Sequence, residues 1–216
     1  ALDTTDFERV IRALRDLAAL LRVYLPSSGG LATEVTAEAD ALREILVTTI
    51  ASSHPDRPSD ISTVEYRCCK KFLAHFERIF SLNYDLLLYW ALMQSEIEPN
   101  LACDDGFRKP EDNYEAPYVT WEPENTYQQN IYYLHGALHL FDAGTEIQKY
   151  TWVNTGIALI DQIREALSQS LFPLFVAEGT SDQKIARIRH SDYLSKALRS
   201  FIPIQGALFL YGHSLA

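Results

Sequence analysis

The sequence predicts an α/β domain: a largely parallel sheet with helices on both faces, preceded by a helical layer and incomplete at both ends. Three observations carry this. Residues 1–77 hold three stretches with the apolar spacing of amphipathic helices. From residue 78 onward, short apolar runs alternate with helical ones, the pattern of strands joined by crossover helices. Two runs, 174–177 and 207–210, are apolar almost without interruption, as strands covered on both faces are.

The elements follow in order. Residues 4–24 place Phe7, Val10, Ile11, Leu14, Leu17, Ala18 and Leu21 on one face, with Thr4 or Thr5 as cap and the Pro26 to Gly30 stretch as terminator. A second helix is expected over 36–52, with Ala37, Ala41, Leu42, Ile45 and Leu46 inward. A third is expected over 59–75, capped by Ser59 or Asp60. Residues 78–82 form a short β-rich run, and 86–94 a short helix. Residues 97–117, with three prolines and Asp104-Asp105-Gly106, predict a long loop. Strands are expected at 118–121 and 131–134, and a hairpin from 138–141 and 147–152 around Asp142-Ala143-Gly144. Helical spacing returns at 156–170. The run 172–177 reads as a strand whose Pro173 belongs at a strand end or sheet edge. A helix over 181–201, with Lys184, Arg187 and Arg189 outward, and a last strand over 206–211 complete an open, Rossmann-like sheet. The whole reads as a single domain: a helical layer (1–77) and a sheet part (78–216).

Composition narrows the function classes. With 29 acidic against 19 basic residues the formal charge is −10, which argues against a phosphate-binding surface. The basic clusters 67–71 and 184–189 read as solvated helix faces. The three cysteines, Cys68, Cys69 and Cys103, include no Cys-x-x-Cys pair, so neither a disulfide framework nor a zinc ribbon is expected, and Cys68 and Cys69 read as buried thiols. No apolar run reaches membrane-spanning length and no signal peptide is visible, so cytoplasmic residence is the default expectation, with no membrane and no nucleic-acid partner. His135 and His139 have metal-ligand spacing for a helix, but Gly136 breaks a β-rich stretch there and no metal site is expected. Ser214 lacks the Gly-x-Ser-x-Gly surroundings of a serine nucleophile.

Four strand runs each end in a polar or glycine cluster: Asn83-Tyr84-Asp85, His135-Gly136, Glu178-Gly179-Thr180 and Gly212-His213-Ser214. In a parallel sheet, the C-terminal strand ends share one edge, where ligands bind. The clusters also read more simply. Asn83-Tyr84-Asp85 makes a turn and helix cap, with Asp85 capping the next helix and Asn83 left for a ligand. His135-Gly136 can open a hairpin, and Ser214 can be a cap.

The segments Phe80-Ser81-Leu82-Asn83-Tyr84-Asp85, Tyr133-Leu134-His135-Gly136 and Leu210-Tyr211-Gly212-His213-Ser214-Leu215 occur in the order and separation found in the sirtuin-like superfamily of bacteria, and residues 78–216 resemble its divergent, uncharacterised branches. Residues 175–181, with Lys184 downstream, are similar to a segment of those branches. The resemblance implies that NAD is bound as substrate. It implies that His135 is the catalytic base, that Asn83 acts with it, and that Asp85 contacts the nicotinamide ribose region. Tyr84 and Gly136 would flank that site, and Gly212, His213 and Ser214 would meet the adenosine half. The residue types suit the chemistry. Release of nicotinamide passes through an oxocarbenium-like ribosyl cation, a histidine can take the proton from water or a ribose hydroxyl, and Asn83 can position that group without charge.

The missing zinc ribbon separates the chain from protein deacetylases and favours NAD hydrolysis, a reaction that relatives of this kind use in anti-phage defence. The family's first strand and Gly-rich phosphate loop have no counterpart in residues 1–77, since Gly29-Gly30 follows a helix. On its own the chain is therefore expected to bind NAD poorly or not at all, and to be inactive even where its parent is an enzyme. Three readings stand: an NAD-cleaving enzyme, a non-catalytic nucleotide-binding or sensor module, and a different hydrolase or transferase sharing the α/β sheet. The helical layer can serve either as an oligomerisation or gating element.

Overall fold

A computed structural model describes residues 7–52, 54–124, 128–152, 156–169, 171–176 and 181–212. Helices α1 (Phe7–Tyr24) and α2 (Gly29–Ala51) form a hairpin through a 3-10 turn at Pro26–Ser28, and α3 (Thr63–Leu73) follows. Strand β1 (Ile79–Ser81) leads to α4 (Leu87–Leu92), and β2 (Phe107–Arg108) and β3 (Tyr118–Trp121) arise within and after the long loop. Then come β4 (Ile131–Tyr133), β5 (Gly136–Asp142), β6 (Ile147–Tyr150), α5 (Leu159–Ser168), β7 (Pro173–Phe175), α6 (Ser181–Arg189) and α7 (Asp192–Phe201).

The fold is mixed α/β, with two sheets among the described residues. Strands β1 and β4 pair in parallel, Ile79 opposite Ile131 and Ser81 opposite Tyr133. The other five strands form an antiparallel sheet in the order β2-β3-β6-β5-β7. The connections explain the difference. A parallel pair needs a crossover, and β1 reaches β4 through α4 and the long loop. By contrast, β5 and β6 are joined by a tight hairpin, which permits only antiparallel pairing. That hairpin turns as expected, with Ala143 N–H bonded to Glu146 O and Asp142 Oδ1 accepting the Gly144 N–H.

Helices cover β5 on both faces. Leu138 and Phe141 share a core with Ile11, Val47, Tyr66, Trp90, Leu159 and Ile163, contributed by α1 to α5. Ala137 and Leu140 pack with Leu174, Ile188, Tyr193 and Leu194, from β7, α6 and α7. A smaller cluster joins Tyr132 and Leu134 to Ala197, with Phe80 stacked on Tyr132. No described helix is long and apolar enough to cross a membrane.

Several elements depart from expectation for local reasons. Helix α2 starts at Gly29 and buries Ala32, Ala39, Leu46 and Val47 rather than Ala37, Ala41 and Ile45. Its apolar residues occur on all sides, so spacing alone could not select the face. In α1, Leu17 is exposed while Ile11 and Ala18 are buried. Helix α3 begins later than Ser59, because Ser62 and Glu65 form a reciprocal capping box. The helix expected over 181–201 is two helices: Ser191 accepts the Leu194 N–H and starts α7 afresh.

Within the basic cluster 67–71, Lys70 is not solvated but buried, its Nζ donating to Gln94 O, whereas Cys68 and Cys69 are exposed. The strand expected over 206–211 has no ladder partner among the described residues. Leu208, Phe209, Leu210 and Tyr211 are exposed, with Phe209 and Tyr211 touching Phe76 and Phe72. An apolar run specifies a strand only where a neighbouring edge is in reach to pair with it.

Gly136 joins the two sheets, and its backbone sits at φ +79°, where L side chains are strained. A β-carbon there would lie 1.9 Å from the Leu174 carbonyl oxygen. Gly144 also has positive φ, but nothing lies within 4 Å of its missing side chain. Gly144→Ala should therefore cost only the conformational term, about 1–2 kcal/mol, while Gly136→Ala should cost about 4 kcal/mol or more or prevent folding. Urea unfolding of the two variants side by side measures the difference.

Candidate functional site

The parallel pairing of β1 and β4 brings two of the four polar clusters together. Leu134 N–H donates to Ser81 O just past the ladder, so the chain beyond Ser81 and the chain beyond Tyr133 emerge side by side. The first runs through Asn83-Tyr84-Asp85 into α4. The second runs through His135 and the left-handed Gly136 into β5, where Leu138 N–H donates to Tyr84 O. The start of β5 is thereby tied to the middle of the Asn83–Asp85 loop.

Tyr84 forms a wall of this place. Its ring lies beside the His135 imidazole, with centroids 6.3 Å apart and planes 26° from parallel. It also meets Phe175 edge-on at 5.8 Å, and its hydroxyl donates to Val176 O at 2.5 Å. Val176 N–H in turn donates to His135 O. His135 is half-buried, and its backbone is held between β4 and the chain leaving β7. Asn83 is exposed, its backbone fastened through Ser81 Oγ, which accepts the Asn83 N–H at 3.1 Å.

Asp85 does what a helix cap does: Oδ1 accepts the Leu87 N–H at 2.9 Å, at the first residue of α4. The neighbouring Leu86 amide donates to Nε2 of His54 at 3.0 Å, and His54 Nδ1 lies 2.7 Å from Pro55 O. His54 had no signal in the sequence beyond being a lone histidine before a proline. Val176 contributes only its backbone, which no side-chain pattern can reveal.

Of the other two clusters, the described residues include only Gly212. Gly212 is exposed with φ +70°, and its neighbour Tyr211 packs on Phe72 of α3 rather than on the Tyr84 wall. Residues 178–180, His213 and Ser214 lie outside the described residues.

Beside the site, the interior holds polar groups that the sequence did not single out. Lys149 on β6 pairs with Asp105 from the long loop at 2.5 Å, both largely buried, with Nζ over the rings of Tyr89 and Phe107. At the loop's edge Arg108 grips Asp104 through two hydrogen bonds and holds its carboxyl below the usual range.

His139 is fully buried, stacked on Tyr89 at 4.5 Å and edge-on to Tyr133 at 5.2 Å. Among the described residues, neither its ring nitrogens nor the Tyr133 hydroxyl has a hydrogen-bond partner. It sits where β5 carries extra residues against β7, between the Gly136–Phe175 and Phe141–Pro173 pairings. His135 and His139 therefore occupy separate surroundings. Among the described residues, no group of three His, Cys, Asp or Glu side chains could hold a metal ion.

What these features define is a mixed α/β domain under a helical layer, with the candidate site at the ends of two adjacent parallel strands. The chain belongs to the family described as a domain of unknown function, DUF4917, whose pattern matches residues 1–216. Neither the curated proteins nor the solved structures contain a match to it.

Burial of His139 holds its pKa well below the ordinary 6.5, and the Lys149 cation adds to the depression. The unfolded chain takes up this proton near pH 6.5 and the folded chain does not. Stability from this group is thus complete above pH 6.5 and falls as the pH drops, by up to about 1.4 kcal/mol per unit. His139→Phe keeps the stacking and removes two unsatisfied buried nitrogens. It should be neutral or stabilising by about 1 kcal/mol at pH 7.5 and should flatten the loss at pH 5.5. Lys149→Met strands the Asp105 carboxylate and should cost about 3–5 kcal/mol. Urea unfolding of both variants at the two pH values tests each statement.

Proposed function

We propose that this chain is a sirtuin-like NAD-binding domain that cleaves the bond between nicotinamide and ribose in NAD. The observation supporting it is the juxtaposition of Asn83 and His135 at the ends of the parallel strands β1 and β4. On this reading that pair belongs to a Rossmann-like sheet whose strand ends face the ligand.

The reaction consumes NAD and water and yields nicotinamide, ADP-ribose and a proton. The carbon–nitrogen bond to nicotinamide breaks as positive charge develops on the ribose. His135 takes a proton from the attacking water, and the Asn83 amide holds that water or a ribose hydroxyl in line. The ring of Tyr84 lies alongside that of His135 and flanks the place where the ribose would sit. Asp85 adds negative charge next to the developing cation while its Oδ1 caps α4. Use as an effector in anti-phage defence belongs to the same proposal.

The second reading, nucleotide binding without catalysis, draws on the structural duties of three expected ligand residues. Asp85 caps a helix, Gly136 admits the Leu174 carbonyl, and Tyr84 is tied to Val176.

Following nicotinamide release from NAD separates the two. Asn83→Ala and His135→Ala should each lower turnover by about 100-fold or more, with unfolding midpoints close to wild type. Turnover undiminished in both variants would sink the catalytic reading. Tight NAD binding with no nicotinamide released would favour the sensor.

A further inference from the structure

We infer that His54 is a positioning residue for the candidate site, fixing the Asn83–Asp85 loop through the backbone amide of Leu86. The inference rests on the reading that this loop forms part of a functional site.

Helix α4 is short, and its N-cap residue Leu86 has no capping side chain of its own. The amides at a helix entrance have no partner within the helix and need outside acceptors. Asp85 serves Leu87, and the acceptor for Leu86 comes from 32 residues upstream, as Nε2 of His54 at 3.0 Å.

An amide can donate to Nε2 only if that nitrogen carries a lone pair. The ring proton must then be on Nδ1, and Nδ1 lies 2.7 Å from the carbonyl oxygen of Pro55, placed to donate to it. Both ring nitrogens are therefore committed and their roles are fixed. The ring stands edge-on to Trp90, with centroids 4.7 Å apart and planes at 85°. Trp90 is itself immobilised, fully buried with Nε1 donating to Trp152 O.

The path from His54 to the site is short and made of named bonds. His54 holds Leu86; two residues before it, Tyr84 accepts the Leu138 N–H and lies beside His135. Asn83 precedes Tyr84. Since His54 lies on the turn after α2, it is the helical layer that sets the geometry of this loop. The layer has a second hold nearby, where Leu159 N–H at the start of α5 donates to Asp56 O.

Nitrogen-15 magnetic resonance on the wild-type chain tests the bond itself. A scalar coupling between the Leu86 amide nitrogen and His54 Nε2, with the proton on Nδ1, is the expected result. Absence of that coupling, or a proton on Nε2, overturns the inference. In His54→Ala, hydrogen exchange at the Leu86 and Asn83 amides should quicken together by about tenfold or more. In His54→Gln, whose side-chain carbonyl reaches the same place, Leu86 protection should return. Exchange at Asn83 unchanged in His54→Ala would show a purely local cap and would also overturn it.

Nicotinamide release adds a functional readout. If the wild-type chain turns over NAD, His54→Ala should lower kcat by about tenfold with KM changed less than about twofold, and His54→Gln should recover most of it. Unchanged kcat in His54→Ala would refute positioning. If the wild-type chain alone releases no nicotinamide, as poor NAD binding without a Gly-rich phosphate loop allows, the coupling and exchange results decide the role of His54.

Discussion

The approach of the Leu174 carbonyl to Gly136 is the contact on which the other arrangements depend. At this point the chain leaves a parallel strand, turns through a left-handed residue and enters an antiparallel sheet. Only glycine permits both the dihedral angle and the 1.9 Å that a β-carbon would have to share with an oxygen. With β7 seated there, Val176 reaches the carbonyl of His135 and the hydroxyl of Tyr84. Without it, the Tyr84 wall, the orientation of His135 and the seam between the sheets would all lose their support. Gly136, expected to be a ligand-contacting residue, thus has a sufficient structural reason to be glycine.

The same junction organises the core. Because β5 begins at Gly136 and carries extra residues against β7, alternation along it is broken. Leu138 and Phe141 face one helical layer, and Ala137 and Leu140 face the other. His139 falls in the middle of this irregularity and is forced inward. Its stacking on Tyr89 is favourable, while its two nitrogens stay unsatisfied. The Asp105–Lys149 pair a short way off is better matched, since each charge has the other and the ammonium also lies over two rings. A structural interior can thus carry polar groups of opposite quality, one satisfied and one not.

Much of the architecture was legible in the sequence, and the reasons for the rest are physical. Spacing located α1, the β5–β6 hairpin, α5 and the edge position of Pro173, because periodicity and turn chemistry are local. Pairing direction was not legible beyond the β1–β4 pair and the β5–β6 hairpin, because it depends on connections that the long loop concealed by contributing β2 and preceding β3. For α2, an all-round apolar helix gave no unique inward face. At the site, Asn83, Tyr84, Asp85 and His135 could be found because their side chains stand at strand ends, and the alternative role of Asp85 as a cap is the one the geometry displays. His54 and Val176 could not be found so easily. One acts from another layer of the fold, and the other acts through a peptide group that every residue possesses.

The hydroxyl of Tyr84 and the carbonyl of Val176 are 92 positions apart along the chain. Strand β7, which delivers that carbonyl, is three residues long, lies at the end of its sheet and opens with a proline that has no N–H to give. It is held instead by its side chains, with Leu174 and, just beyond the strand, Val176 buried in the core. Detachment of β7 would release His135 O and Tyr84 Oη in one event, so the site is lost or regained as a unit rather than eroded residue by residue. The wall beside His135 is thus made only after distant parts of the chain have met, and it lasts as long as β7 stays seated against β5.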